Sequence, residues 1–283
     1  MKLASYRYDG LESFGMVVGD AIIDLKQRLE IPDLKTLLGL GVHLAHQCTD
    51  AEPDYGLSDV ELMPPIPNPA HIIGVGLNTK SHAREASDYF KTDIVEPKYP
   101  RLFLRASTSH VAHGQAVVVP TASPTLDYEG EMAIIIGRGG RYIPKADALD
   151  HIAGIACYND GSIRAYQLHS EQVTPGKNFY KSGSFGPWIT TLDEAGPVSN
   201  LVLETRVNGE LRQRLTMDDL YFDFASLIEY ASQPFHLQPG DVIIAGSSAG
   251  VGAFTGRYLV PGDELVISIP TAGILRNTVV AEG

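Results

Sequence analysis

LDYEGEMAIIIGRGG (Leu126–Gly140), followed further along by NDGSIRAYQ (Asn159–Gln167), is the stretch around which the rest of the chain is arranged. Met132, Ala133 and three isoleucines run up to the Gly-rich turn Gly137–Gly140, so residues 127–137 read as a strand. Side chains two apart on a strand share a face and lie roughly 6.5–7 Å apart. Asp127, Glu129 and Glu131 therefore point the same way. Two readings are open. The acids line a solvated strand edge, or they lie on a buried face whose charge is compensated by a hard cation such as Mg²⁺ or Mn²⁺, which prefers carboxylate oxygen.

Asn159-Asp160-Gly161-Ser162 carries a turn signal, with Ser162 placed to cap a following helix. Arg164 and Gln167 are three apart and share a helical face. An acid, an arginine and a glutamine converging at a helix start suit a metal with an anionic ligand. The alternative is capping by Asp160 and a local Asp–Arg pair.

Working outward, 283 residues allow one large or two modest domains, and 44% hydrophobic residues supply a full core. A net charge of −12 argues against nucleic acid and an anionic membrane as main partners, though not against a small anionic substrate. The two cysteines, Cys48 and Cys157, lie far apart without CxxC spacing, which points to a reducing compartment and to neither a disulfide framework nor a zinc site. No signal-peptide core and no membrane-length apolar run stand out. The expectation is a soluble, cytoplasmic protein.

Residues 1–62 read as a small N-terminal domain, with short strands and a helix through Leu40 capped by Asp33. Residues 63–69, MPPIPNP, read as a Pro-rich linker, and 70–283 as the main domain. His71–Gly76 reads as a buried strand; its Gly74-Val75-Gly76 lacks the third glycine of a dinucleotide fingerprint. His82 and Glu85 sit side by side if that segment is helical. They read either as an ordinary surface pair or as an imidazole oriented by a carboxylate to serve as a general base. Residues 85–100 look polar and loop-like and read as a mobile lid. Lys177 opens a loop ending at Gly186-Pro187-Trp188 and either meets an anionic substrate or is solvated. Asn208-Gly209 signals a hairpin. The loop Gly246–Gly252 either holds a substrate anion through backbone N–H groups or is a plain turn.

Taken in order, these segments resemble the fumarylacetoacetate hydrolase family. IIGVGLNTKSHAREA is similar to that family's VGxNYxxHxxE segment, DYEGEMAIIIG to its metal-binding strand, and AGIACYNDGSIRAYQ to its NDxSxRxxQ segment. GKNFYKSGSFGPW, VNGELRQ, LQPGDVIIAGSSAGVG and YLVPGDELVISIPTAGILRN follow in family order, so the resemblance spans residues 66–277. It implies a mainly β chain with some α: a mixed β-sandwich roll preceded by a small N-terminal domain, usually as a homodimer. It implies one divalent cation, Mg²⁺ or Mn²⁺, on Glu129, Glu131 and Asp160. It implies an acid–base dyad of His82 and Glu85, a catalytic Lys177, and substrate contacts from Arg164, Gln167 and Ser247. The chain departs from the family pattern at Thr79, at Tyr180–Ser184 and at Ala245–Ser248, all toward the expected substrate end.

The activity implied is metal-dependent hydrolysis of a carbon–carbon bond in a β-diketo acid, giving pyruvate and a second acid. Oxaloacetate-type decarboxylation and keto–enol isomerisation use the same site and are the alternatives. A non-catalytic oxo-acid or metal-binding protein is a further one, which the presence of both His82 and Glu85 disfavours.

Overall fold

The computed structural model describes residues 1–283. Its framework is a 12-stranded sheet facing a 5-stranded one. Across the large sheet the strands run Tyr55–Gly56, Ala21–Asp24, Leu11–Val18, Lys2–Tyr8, Gly183–Thr190, Ile152–Asn159, Gly130–Ile136, Val242–Ile244, Ile72–Gly76 and Arg101–Leu104, with Glu61–Leu62 added on Lys2–Tyr8 and His110–Val111 on Gly183–Thr190. The smaller sheet runs Glu210–Thr216, Val202–Val207, Glu264–Ile269, Gly273–Ala281 and Ala116–Val119. This is the mixed, strand-rich architecture expected from the sequence.

Gly130–Ile136 lies in the interior of the large sheet, buried at every residue, and this explains its unbroken apolar run. Met132, Ile134 and Ile136 enter the core between the sheets, while Ala133 and Ile135 join Leu34, Leu37 and Leu38 on the opposite face. Each buried isoleucine contributes about 1.5–3 kcal/mol through removal from water. Asp33 caps the helix Leu34–Leu40 by accepting from Thr36 N at 2.7 Å.

The strands of residues 1–62 continue the main sheet. Lys2 and Leu3 pair with Thr190 and Ile189. The segment 63–69 is anchored: Ser5 Oγ donates to Pro65 O at 2.7 Å, and Ile66 is buried. The boundary read from the prolines is thus a boundary of sequence, while the hydrogen bonding runs on across it.

Two local expectations need correction. Residues 85–100 are not one loop, since Lys80–Phe90 is a helix capped by Thr79, and only 91–100 are irregular. Its alanines, Ala83 and Ala86, are its buried residues, so the helix packs by close approach and carries little of the usual apolar signature. Gly183–Thr190 is a strand of the sheet interior, although it contains Pro187. Proline is tolerated there because the ladder shifts register between Ile155 and Cys157, opposite it. The Asn208-Gly209 hairpin forms as expected, with both residues at positive φ. No helix is long and apolar enough to cross a membrane.

His110 is a buried imidazole packed edge-on to Phe185, its Nε2 without a hydrogen-bond partner. Burial, reinforced by the charge of Arg105, pushes its pKa down to about 3. The unfolded chain takes up this proton near pH 6.5. The neutral ring therefore favours the fold above that pH, and the advantage is lost as pH falls from 6.5 toward 3, by about 1.4 kcal/mol per pH unit. His110→Phe is expected to flatten this stretch of the stability–pH curve, measured by urea unfolding at pH 7, 6 and 5.

Candidate active site

The sheet interior sets down four acids and three bases in one buried group. Asp127, Glu129, Glu131 and Asp160 face Arg105, Arg164 and Lys177, and none of the seven is more than 7% exposed. Four against three leaves one negative charge.

Glu129, Glu131 and Asp160 offer oxygens all within 4.8 Å of one another. Asp160 enters because Gly130 pairs with Asn159, so the end of Ile152–Asn159 delivers the next residue beside Glu129. Asp160 N donates to Glu129 O at 2.8 Å. Asp127 is not in this group, which corrects the single-strand reading. The strand is interrupted at Tyr128 and Glu129, and Leu126–Asp127 pairs instead with Ser162–Ile163. Asp127 accepts from Arg164 Nε at 2.8 Å and from the backbone N–H groups of Gly252 and Ala253 at 2.7 and 2.8 Å.

The expected turn at 159–162 is likewise absent: Ser162 lies in a strand and caps nothing. Gly161 is required by close approach, since a Cβ there would meet Ser182 O at 1.8 Å. The local Asp160–Arg164 pair does not form. Asp160 pairs with Arg105 and, at 2.5 Å, with Lys177. Arg164 Nη2 bonds Glu129 at 2.7 Å, and its Nη1 donates to Gln167 Oε1 at 2.7 Å. That bond fixes the Gln167 amide and leaves its NH₂ available.

The charges are unevenly matched. Burial works to raise the Glu129 carboxyl, but Arg164 and Lys177, with which it pairs, outweigh it and hold the group well below the usual carboxylate range. Glu131 has no cationic partner. Burial, then repulsion from Asp160 and Glu129, pushes its carboxyl well above the usual range. Its protein hydrogen bond comes from Gly246 N at 2.6 Å. An all-oxygen donor set with one uncompensated negative charge fits a hard divalent cation, which would turn the balance from −1 to +1 and favour an anionic ligand. Lys177 meets the acids and not open solvent. Burial opposes its charge, but Asp160 and Glu129 raise its pKa. Lys177→Met breaks these buried pairs and is expected to destabilise the metal-free protein by about 3–5 kcal/mol. Mn²⁺ should restore much of the loss, measured as the melting temperature with and without the ion.

His82 faces this group across a cavity of about 830 Å³ that also holds Ser247 in its lining. Its Nδ1 lies 3.4 Å from Glu85 Oε2, and Glu85 Oε1 accepts from Gly250 N at 3.0 Å. The ring packs on Phe254 at 5.7 Å between centroids. The loop 246–253 does not offer the free N–H cradle read from its glycines. Its N–H groups at Gly246, Gly250, Gly252 and Ala253 are taken by Glu131, Glu85 and Asp127. The anions it binds are the protein's own carboxylates, and by binding them it joins the helix Lys80–Phe90 to the acidic group.

Sequence reasoning missed Arg105 and Phe254. Arg105 is a buried guanidinium holding Asp160, Gly161 O, Ser109 and Ser182. Its only trace in sequence is an arginine closing an apolar strand. Phe254 carries no signal at all.

The family model for the fumarylacetoacetate hydrolase C-terminal domain matches residues 71–280, which contain every residue of this site. The chain belongs to the fumarylacetoacetate hydrolase family. Among its relatives in the family is oxaloacetate tautomerase YisK of Bacillus subtilis, 37% identical over 229 residues, 80% of this chain and 75% of that one. Maleylpyruvate hydrolase from Sphingobium sp. SYK-6, solved with manganese(II) and pyruvate, superposes with a TM-score of 0.83 at 28% identity, each chain covered in full. 5-Carboxymethyl-2-hydroxymuconate delta-isomerase from Mycobacterium smegmatis gives 0.79 at 28% identity, again over both whole chains. The family thus includes hydrolases, isomerases and a tautomerase, and a manganese site accompanies the fold in one of these neighbours.

Proposed function

We propose that the protein is a divalent-metal-dependent hydrolase that cleaves a 2,4-dioxo acid of the acylpyruvate type into pyruvate and a second acid. The observation that carries this reading is the placement of the His82–Glu85 pair across a roomy cavity from a carboxylate cluster with one uncompensated charge. Mg²⁺ or Mn²⁺ on Glu129, Glu131 and Asp160 would supply Lewis-acid polarisation of the 2-oxo acid.

The chain's own groups do the rest. Arg164 orients the substrate carboxylate, and Gln167 donates its free amide N–H. His82, its Nδ1 turned to Glu85, takes a proton from water at Nε2. The hydroxide adds to the distal carbonyl carbon, whose oxyanion is stabilised by Gln167 and Lys177. The bond between that carbon and the methylene breaks, its electron pair passing to the pyruvate enolate. His82 then returns the proton to the enolate carbon. Ser247 lines the substrate end.

A second reading, keto–enol tautomerisation of an oxaloacetate-like acid, is favoured by the 37% identity to the tautomerase. It uses the same proton transfer without addition of water. The deciding experiment follows a panel of acylpyruvates and oxaloacetate with Mn²⁺, Mg²⁺ or EDTA. Metal-dependent release of pyruvate with a second acid is expected. Enol–keto interconversion with no pyruvate would overturn hydrolysis in favour of the second reading, and turnover undiminished by EDTA would remove the metal from both.

A further inference from the structure

Glu129 and Asp160 are held in the same way, each with one carboxylate oxygen on an arginine and the other on Lys177. Glu129 Oε1 accepts from Arg164 Nη2 at 2.7 Å, and Asp160 Oδ1 accepts from Arg105 Nη1. The remaining oxygens, Glu129 Oε2 and Asp160 Oδ2, both accept from Lys177 Nζ. The arginines are fixed by further partners. Arg105 also donates to Gly161 O, Ser109 and Ser182, and Arg164 to Asp127 and Gln167. Lys177 Nζ has no hydrogen-bond partner beyond the two acids. Its ammonium ends a flexible four-carbon stem, which moves more readily than a guanidinium forked between several acceptors. Phe103 shares the cavity lining with Lys177, and its ring centroid lies 5.2 Å from Nζ. An aromatic face at that range offers the charge a second resting place.

From this arrangement we infer that Lys177 is a built-in stand-in for the metal: its ammonium holds the two oxygens that a divalent cation needs, and cation binding releases it toward the cavity, over Phe103, where it meets substrate. The inference rests on the reading of Glu129, Glu131 and Asp160 as the cation's ligands. A cation bound by all three takes Glu129 Oε2 and Asp160 Oδ2, because the arginines keep the other two oxygens. Glu131 contributes Oε1, since its Oε2 accepts from Gly246 N. An ammonium sharing those oxygens with a dication is repelled at short range in a buried, weakly screening site. No covalent bond changes in this exchange. Its consequence is an order of events. Without the cation, the acids are neutralised from within and Lys177 is engaged with them. With it, the ammonium that stabilises the oxyanion becomes free only once the Lewis acid is in place.

The test needs no substrate. The full-length protein is treated with acetic anhydride, with and without Mn²⁺, and acetylation of Lys177 is followed by peptide mass spectrometry. Lys145, exposed and outside the cavity, is the internal standard. The rate follows the fraction of molecules in which the amine is free, so Mn²⁺ should speed acetylation of Lys177 relative to Lys145 by about tenfold or more. K177M removes the competitor, and by calorimetry it should bind Mn²⁺ about ten- to a hundredfold more tightly than the parent. The acetylation arm uses the unsubstituted protein and so does not depend on how well K177M folds. The inference is overturned if Mn²⁺ binds the parent and Lys177 stays as protected as before, or if K177M binds the ion no more tightly. A parent that binds no Mn²⁺ overturns the cation reading and this inference together. Release of Lys177 by Mn²⁺ in a protein that hydrolyses no dioxo acid would refute the hydrolase reading and leave this one in place.

Discussion

Glu131→Gln is expected to abolish Mn²⁺ binding and turnover while making the metal-free protein more stable than the unsubstituted one. The two effects have one cause. Glu131 is a buried carboxylate with no ion pair of its own, crowded by Asp160 and Glu129. Burial and those two neighbours raise its carboxyl well above the ordinary range. A carboxyl whose pKa is raised by folding favours the fold only when protonated. Its penalty begins as pH rises past the unfolded value near 4.3 and grows toward the folded one. Glutamine keeps an oxygen for Gly246 N and removes the charge. The melting temperature of the metal-free variant should then exceed that of the parent at neutral pH, by about 2–4 °C for each kcal/mol of repulsion relieved. The gap should close toward pH 4. Mn²⁺ should raise the parent's melting temperature and leave the variant's unchanged. A variant that still binds Mn²⁺, or that is less stable than its parent without metal, would remove Glu131 from the ligand set.

His82→Ala should have the opposite profile, with metal binding intact and hydrolysis reduced by about a hundred- to ten-thousandfold, the range for loss of a general base. The imidazole is outside the carboxylate cluster, so calorimetric Mn²⁺ affinity should not follow the loss of activity. Glu85→Gln should cost less in rate, because glutamine can still hold the ring. It should also loosen the helix Lys80–Phe90, because Glu85 accepts from Gly250 as well as facing His82. A His82→Ala enzyme that hydrolyses at the parent's rate would assign the water to another base. One that interconverts keto and enol forms but no longer hydrolyses would show that both reactions share the metal and differ in the base.

The carboxylate cluster was legible in sequence because a strand's period of two is short and rigid. Glu129 and Glu131 could hardly avoid each other, and the apolar run after them marks an interior strand. Asp127 misled for the same reason, since the period assumes an unbroken strand, and the interruption at Tyr128 and Glu129 depends on pairing with residues 162–163. His82 and Glu85 followed from helical spacing, although the helix itself hid behind alanines and polar residues. Arg105 and Phe254 were illegible because each acts across the fold. Arg105 reaches an aspartate 55 positions away, and Phe254 packs on a histidine from a segment that only the sheet brings near.

The strand Val242–Ile244 lies between Gly130–Ile136 and Ile72–Gly76, yet it is made long after both. It begins 106 positions after Ile136, and a ribosome takes roughly 5–20 s to add that many residues. Throughout that interval the growing polypeptide carries two bare apolar strand edges, and the histidine helix has nothing to fix it against the acids. The nascent chain therefore has no chemistry to perform and is most exposed to self-association at this stage. Late insertion of three residues closes both edges and assembles the site in one event, so any defect in that strand should surface as poor yield from synthesis before it surfaces as slow turnover.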